Sequence, residues 1–304
     1  MPRRVKLILN PMADLGKAWA IASSLRPLLA ELGGADWSGT VYPTHATELA
    51  RQAGEEGYDL VIAIGGDGTV HEVVNGLMQV PESKRPLLGV VPVGSGNDFA
   101  NAIGIPMDPG QALTRAMTGD PKAIDLGLIR DEHGRVEYFD NTIGIGFDAI
   151  VTIRSRKVPI FRGLMIYLIS VIQTVILNYV TPKIAIETES EQWEDRLLML
   201  CLCNGPREGG GFMVAPQARN DDGLFDYTSI RKTNRAMMFR LIPEVMKGTH
   251  GRFRQVRMGT FRKMTLRADE PLFIHTDGEM YSSFGSKVTG FTVEILPNAL
   301  KIIA

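Results

Sequence analysis

The stretch LVIAIGGDGTVHEVVNGL, residues 60–77, constrains the fold of this chain more than any other. Its opening run, Leu60 to Ile64, is apolar without alternation, the pattern of a strand buried on both faces of a parallel sheet. Two glycines break the run. From Thr69 onward Val70, Val73, Val74, Leu77 and Met78 recur at helical spacing, and Thr69-x-x-Glu72 reads as a capping box. A buried strand that turns through glycines straight into a helix is one βα unit. Its glycines let backbone N–H groups face a ligand and its helix start adds partial positive charge, so the loop is shaped to hold an anion.

The same alternation recurs at VKLIL (5–9), WSGTVY (37–42) and LLGVVPV (87–93), followed by helical patterns over 17–32, 47–56 and 97–103. These make a doubly wound α/β domain over residues 1–125. The grammar then changes to short strands separated by Gly, Asp and Pro turns, at 124–130, 136–146, 183–189, 196–203, 224–230, 263–268, 272–276 and 288–296. That spacing predicts an all-β sandwich or barrel domain over 126–290, the sandwich being favoured, with the tail 291–304 returning to the first domain. A chain of 304 residues is long enough for two such cores.

Asp67 sits inside the first loop, where a bare carboxylate would repel phosphate unless a cation came between them. A nucleotide arriving with Mg²⁺ removes the conflict, because Mg²⁺ is held by one or two carboxylates together with substrate phosphates. The loop has neither the lysine of G-x-x-x-x-G-K-[ST] nor the spacing of G-x-G-x-x-G. A second loop of similar type, VGSGNDFA, follows the next strand, with Gly94, Ser95 and Gly96 ahead of a helix that Asn97 or Asp98 can cap. His71 is a capping-turn histidine or a donor to phosphate.

Composition narrows the classes further. The net charge is −1, which excludes a polyelectrolyte binder, and nucleic acid is not expected of the basic stretch from Arg231 to Arg267. Cys201 and Cys203 lie on one face of a strand without His or further Cys partners and read as core residues. The start of the chain has too short an apolar run for a signal peptide, which predicts a cytoplasmic protein. GLMIYLISVIQTVILNYV (163–180) is 18 residues without a charge, and Gln173, Thr174 and Asn178 interrupt it. Three readings stand for it: a core helix, a lipid-facing helix, or a span. With the basic stretch it would give two weak anchors for peripheral contact with an anionic membrane.

In LILNP, GGDGTVHEVVNGL, PVGSGNDFA, AIDLG, FDNTIGIGFDA, CNGPREGGGFMVAPQARNDDGLFDY and HTDGE, order and spacing together, the chain resembles the diacylglycerol-kinase catalytic-domain family. That group includes bacterial lipid kinases and sphingosine kinases and is more distantly related to NAD kinases. The resemblance implies ATP- and Mg²⁺-dependent phosphorylation of a lipid hydroxyl, with ATP in a cleft between the α/β and sandwich domains. Asn10, Thr44, Gly65, Gly66, Asp67, Gly68, Thr69 and Ser95 would contact ATP, joined by Gly94 and Asn97 of the second loop. A structural metal would lie at Asp222 with carbonyl oxygens of Arg219 and Leu224. The general base would fall on Glu279 with Asp277 beside it, and in an extended segment both acids would project to one side. A soluble NAD kinase-like enzyme and a non-catalytic membrane adaptor are the alternatives.

Overall fold

Strands that are apolar on both faces need helices on both faces, and the first part of the chain meets that need. The computed structural model describes residues 3–156 and 164–304, so Gly163, at the head of the apolar stretch, lies outside the described residues. It forms two units, Met1–Ile124 with Asn298–Ala304, and Asp125–Pro297. In the first, strands β1 (Val5–Leu9), β2 (Asp36–Gly39), β3 (Leu60–Gly65) and β4 (Leu87–Pro92) lie in the order β2-β1-β3-β4, all parallel. Every residue of β3 is buried. Helices α1 (Ala18–Ser24), α2 (Arg26–Glu31), α3 (His45–Glu55), α4 (Asp67–Leu77), α5 (Asp98–Ala102) and α6 (Pro109–Thr118) complete the unit. The helical pattern over 17–32 is divided between α1 and α2, with proline in the first turn of α2. The strand expected over 37–42 stops at Gly39, and Val41 and Tyr42 are exposed on the way into α3.

The second unit is an antiparallel sandwich with a helical layer. Its elements are β5 (Pro121–Asp131), which crosses in from the first unit, β6 (Val136–Phe139), β7 (Thr142–Gly146), α7 (Phe147–Ser155), α8 (Leu164–Leu177), β8 (Lys183–Thr188) and β9 (Gln192–Cys203). They continue with β10 (Phe225–Arg231), α9 (Arg235–Met246), β11 (Val256–Phe261), β12 (Lys263–Ala268), β13 (Ile274–Thr276), β14 (Glu279–Ser282) and β15 (Gly290–Ile303). Twelve-residue β9 belongs to both sheets: its first half pairs with β8 and its second half with β7 and β10. One sheet runs β14-β13-β7-β9-β10-β11, and the other continues from β9 through β8 and β12 to β15.

Alternation along β9 distributes its side chains. Leu200 and Leu202 enter the core between the sheets, while Cys201 and Cys203 face the layer of α7, α8 and α9. Both cysteines are free, buried thiols, and burial, then nearby carboxylates, push their pKa values well up, which makes them inert core residues. The tail returns later than residue 291. The first half of β15 pairs with β12, and only Ile302 and Ile303 pair with Leu88 and Gly89 of β4.

The apolar stretch forms a helix of 14 described residues, and among the described residues no helix is long and apolar enough to cross a membrane. Its inner face, with Val171, Thr174 and Val175, is buried, while Met165, Ile172, Ile176 and Leu177 are exposed. The basic stretch is partly neutralised: Arg231 pairs with Asp195, Arg240 and Arg252 with Glu244, Arg257 with Glu191, and Lys263 with Glu294.

Gly127 of β5 lies opposite Phe139 of β6, and a Cβ there would fall 1.9 Å from the Phe139 ring, which is fully buried. Gly127→Ala is therefore expected to destabilise the protein by about 1–3 kcal/mol through overpacking. Denaturant unfolding checks this, and the double variant Gly127→Ala/Phe139→Leu should recover part of the loss.

Candidate active site

The glycine loops of β3 and β4 meet backbone to backbone. A Cβ on Gly66 would lie 2.9 Å from the Cα of Gly94, and one on Gly94 would lie 2.3 Å from the Cα of Gly66. Only glycine fits at this crossing. Asn97, left-handed at φ 53°, closes its side chain back on Gly94, accepting from its N–H at 2.9 Å and donating to its carbonyl at 3.0 Å. It therefore shapes the loop rather than capping α5. That capping falls to Asp67, whose Oδ1 accepts from the Phe99 N–H at 3.2 Å. Asn10 joins the first strand end to the same place, donating to the Thr69 hydroxyl at 3.2 Å and accepting from Met12 N–H.

A Cβ on Gly96 would sit 3.0 Å from Asp67 Oδ2 and 3.2 Å from Asp98 Oδ2. Two carboxylate oxygens thus flank one bare glycine, and Asp98 is nearly fully buried. This oxygen set suits Mg²⁺, with Asp67 and Asp98 as the residues to hold it. Ser95 is exposed beside them. The expected capping box does not form: Glu72 reaches across to α3, accepting from the N–H groups of Thr44 at 2.8 Å and Ala46 at 3.0 Å, and Thr69 lies inside α4. Thr44 is exposed and left-handed at φ 71°, held there by Glu72. His71 is buried in α4 beside Asn75, away from either role expected for it.

In the second unit Asp277 and Gly278 form the two-residue turn between β13 and β14, with φ 50° and 80°. Left-handed geometry at both positions is what a tight hairpin asks for, and Asp-Gly supplies it. The expectation that Asp277 and Glu279 project to one side and share work between base and metal is corrected by this turn, which sends the two carboxylates to different partners. Asp277 is buried and its carboxylate accepts from the N–H groups of Asp140, Asn141 and Thr142 at 3.0, 2.9 and 2.9 Å. With its oxygens committed to three amides it holds the hairpin to β7. Glu279 is half-exposed, and Arg156, just past α7, donates to its carboxylate at 2.6 Å and to the Gly278 carbonyl at 2.8 Å. Of the two acids, Glu279 is the one whose carboxylate reaches the surface.

Asp222 Oδ1 accepts from Leu224 N–H at 3.1 Å, the local turn that Asp favours, while Arg219 turns its side chain to Asp221. Gly223 N–H donates to the buried Asp125 at 2.7 Å. Asp226 is pushed up to about 6 by burial and then by the charge of Asp222. Excess negative charge of this kind is what a hard cation at Asp222 would relieve.

Nothing in the sequence reading anticipated the apolar cavity of about 70 Å³ under α8 and α9. Tyr167, Val175, Met199, Met238 and Leu241 help line it, and the carboxyl groups of Asp148 and Glu208 give it a polar end. Burial pushes Asp148 up, but His275 opposite it, with further hydrogen bonds from Glu208 and Cys201, brings it below the usual carboxylate range.

The sequence and the fold match known proteins. A diacylglycerol kinase catalytic domain is matched over residues 4–129, and a YegS C-terminal NAD kinase beta sandwich-like domain over 141–304. The chain belongs to the diacylglycerol-kinase family. Like other members of this lipid kinase family, it joins an α/β domain to a β-sandwich. A diacylglycerol kinase of Bacillus subtilis is 32% identical over 77% of this chain and 75% of its own. A Chromohalobacter salexigens protein named "probable lipid kinase YegS-like" is 38% identical over 65% of this chain, an alignment spanning 62% of that relative's length. The crystal structure of a diacylglycerol kinase from Bacillus anthracis strain Sterne shares the fold at a TM-score of 0.75 and 22% identity, covering 99% of this chain and 96% of that one.

The family motif HTDGE thus contains two acids with different work, and stability separates them. Asp277→Asn removes a charged acceptor from three buried amides and is expected to cost about 2–3 kcal/mol. Glu279→Gln, on a half-exposed side chain, should leave the melting temperature nearly unchanged, as calorimetry would show. A second outcome concerns Asp226. Its pKa is raised in the folded protein, so the native state binds a proton that the unfolded chain has released, and stability falls as pH rises from about 4 to about 6. Asp226→Asn should flatten that slope, and Mg²⁺ should raise the melting temperature at pH 7 by less for Asp222→Asn than for the wild type.

Proposed function

We propose that this protein is a lipid kinase that transfers the γ-phosphoryl group of ATP, with Mg²⁺, to the hydroxyl of diacylglycerol or a related lipid. The observation that carries the reading is the apolar cavity of the second unit with carboxylates at one end. A water-soluble acceptor has no use for walls of Tyr167, Val175, Met238 and Leu241, whereas an acyl chain does. The cavity is smaller than an acyl chain, so filling it requires its Met and Leu side chains to change rotamer.

In this reading the backbone amides of the Gly65–Thr69 and Gly94–Asn97 loops bind the phosphates, and Asn10 and Thr69 fix the first loop against the end of β1. Mg²⁺, held by Asp67 and Asp98, would supply charge neutralisation on the β- and γ-phosphates. Glu279, oriented by Arg156, accepts the proton of the lipid hydroxyl as it attacks. The protein works at a bilayer surface, where Met165, Ile172, Ile176 and Leu177 of α8 and Phe239 of α9 present apolar side chains to solvent. Pairing of the basic stretch with acids makes this contact chiefly apolar.

Label from γ-labelled ATP should enter one lipid of a mixed-micelle panel in the presence of Mg²⁺. Asp67→Asn and Glu279→Gln should each lower kcat by at least about 100-fold, the scale of a lost base or phosphate-charge partner. Label appearing only in NADP⁺ when NAD⁺ is offered would replace this reading with a soluble kinase. Flotation tests the surface: wild type should rise with anionic vesicles, and Ile176→Glu/Leu177→Glu should not.

A further inference from the structure

Beneath the turn that carries Glu279 lies a buried histidine with both ring nitrogens engaged. His275 of β13 is 1% exposed. Its Nδ1 receives the Gly278 N–H at 3.2 Å, and since an amide N–H can only donate, Nδ1 is the acceptor nitrogen. Nε2 therefore carries the proton and donates to Asp148 Oδ2 at 2.8 Å. Room for this pair exists because residue 144 is glycine: a Cβ there would lie 1.9 Å from Asp148 Oδ2 and 2.2 Å from His275 Nε2.

The two partners of this ring belong to different parts of the machinery. Asp148, in the first turn of α7, lines the apolar cavity, where it faces His275 of β13, Cys201 of β9 and Glu208. Gly278 is the residue before Glu279. One imidazole thus ties the polar end of the cavity to the turn that presents the base. Helix α7 grips the hairpin twice, through Asp148 from below and through Arg156 at its far end, which holds the Gly278 carbonyl and Glu279. The two grips leave the hairpin little freedom to move without α7.

Resting on the lipid-kinase reading, we propose that His275 is a positioning residue that couples occupancy of the acceptor cavity to the placement of Glu279. It touches neither substrate nor nucleotide in this role. It fixes the carboxylate that closes the cavity and the backbone that aims the base, so each half of the bridge should govern a different kinetic constant.

Two substitutions separate the halves. In His275→Gln the side-chain amide reaches as far as Nε2 and can still donate to Asp148, but it cannot also receive the Gly278 N–H. In His275→Asn the oxygen lies near the position of Nδ1 and can receive that N–H, but the side chain does not reach Asp148. With full-length protein in mixed micelles, His275→Gln should lower kcat about tenfold with little change in the KM for lipid, the scale of one hydrogen bond to a charged or strained group. His275→Asn should raise the KM for lipid about tenfold with kcat largely kept. The KM for ATP should stay the same in both, and circular dichroism should show both folded. Coupling is overturned if both variants match wild type within about twofold, if kcat and KM move together equally in both, or if the KM for ATP moves as much as that for lipid. A wild type that labels no lipid would overturn the lipid-kinase reading instead, before any variant is compared.

Discussion

A carboxylate buried against three backbone amides decides where the chemistry of the second unit can lie. Asp277 gathers the N–H groups of residues 140–142, and its own N–H returns to the carbonyl of Thr142. A charged acceptor with three amide donors is among the stronger arrangements that a protein interior offers. It pins the β13–β14 hairpin to the start of β7, and β7 leads directly into α7. Glu279 and His275 lie on that hairpin, where Asp148 and Arg156 meet them. Losing the Asp277 anchorage would loosen the turn on which Glu279 sits.

Three Asp-Gly pairs in this chain show how one dipeptide serves different ends. Asp67-Gly68 lies at the start of α4, where its carboxylate caps the neighbouring α5 and stands with Asp98 around Gly96. Asp222-Gly223 is a local turn in which the Asp side chain accepts from Leu224 N–H while Gly223 donates to Asp125. Asp277-Gly278 is a hairpin turn whose acid points inward. Glycine makes the turn in the last two, and in all three aspartate supplies an acceptor. The turn is a property of two residues, whereas the destination of the carboxylate is a property of what packs against it.

That difference marks what the sequence could and could not convey. Continuous apolar runs identified the parallel strands, and turn spacing identified the sandwich, because both are local signals. The loop reading singled out Asp67, and the resemblance singled out Glu279. Side-chain direction was not legible: Glu72 was placed in a capping box with Thr69, yet the gain from holding two amides of α3 is larger than from one within its own helix. Asp98 looked like a cap, and Asp148, Glu208 and His275 lay inside resembling motifs without a legible role, since they come together from α7, the 204–212 loop and β13 only through strand pairing. A cue did exist at Gly144, an unexplained glycine in the middle of an apolar strand, which often marks a close approach by another group.

Helix α8 joins the structural and functional arguments. An uncharged helix that is apolar all round belongs in a core or in lipid. Here one face packs on the sandwich and lines the cavity, and the other carries four exposed large apolar side chains. Stability alone would favour polar residues on the outer face, because exposed leucine and isoleucine contribute nothing to folding and invite association. Their presence on the helix that roofs the cavity is explained if cavity and bilayer are served by the same element. An acyl chain would then pass from lipid to pocket across a single layer of side chains, with no aqueous interval in which its apolar surface must be hydrated.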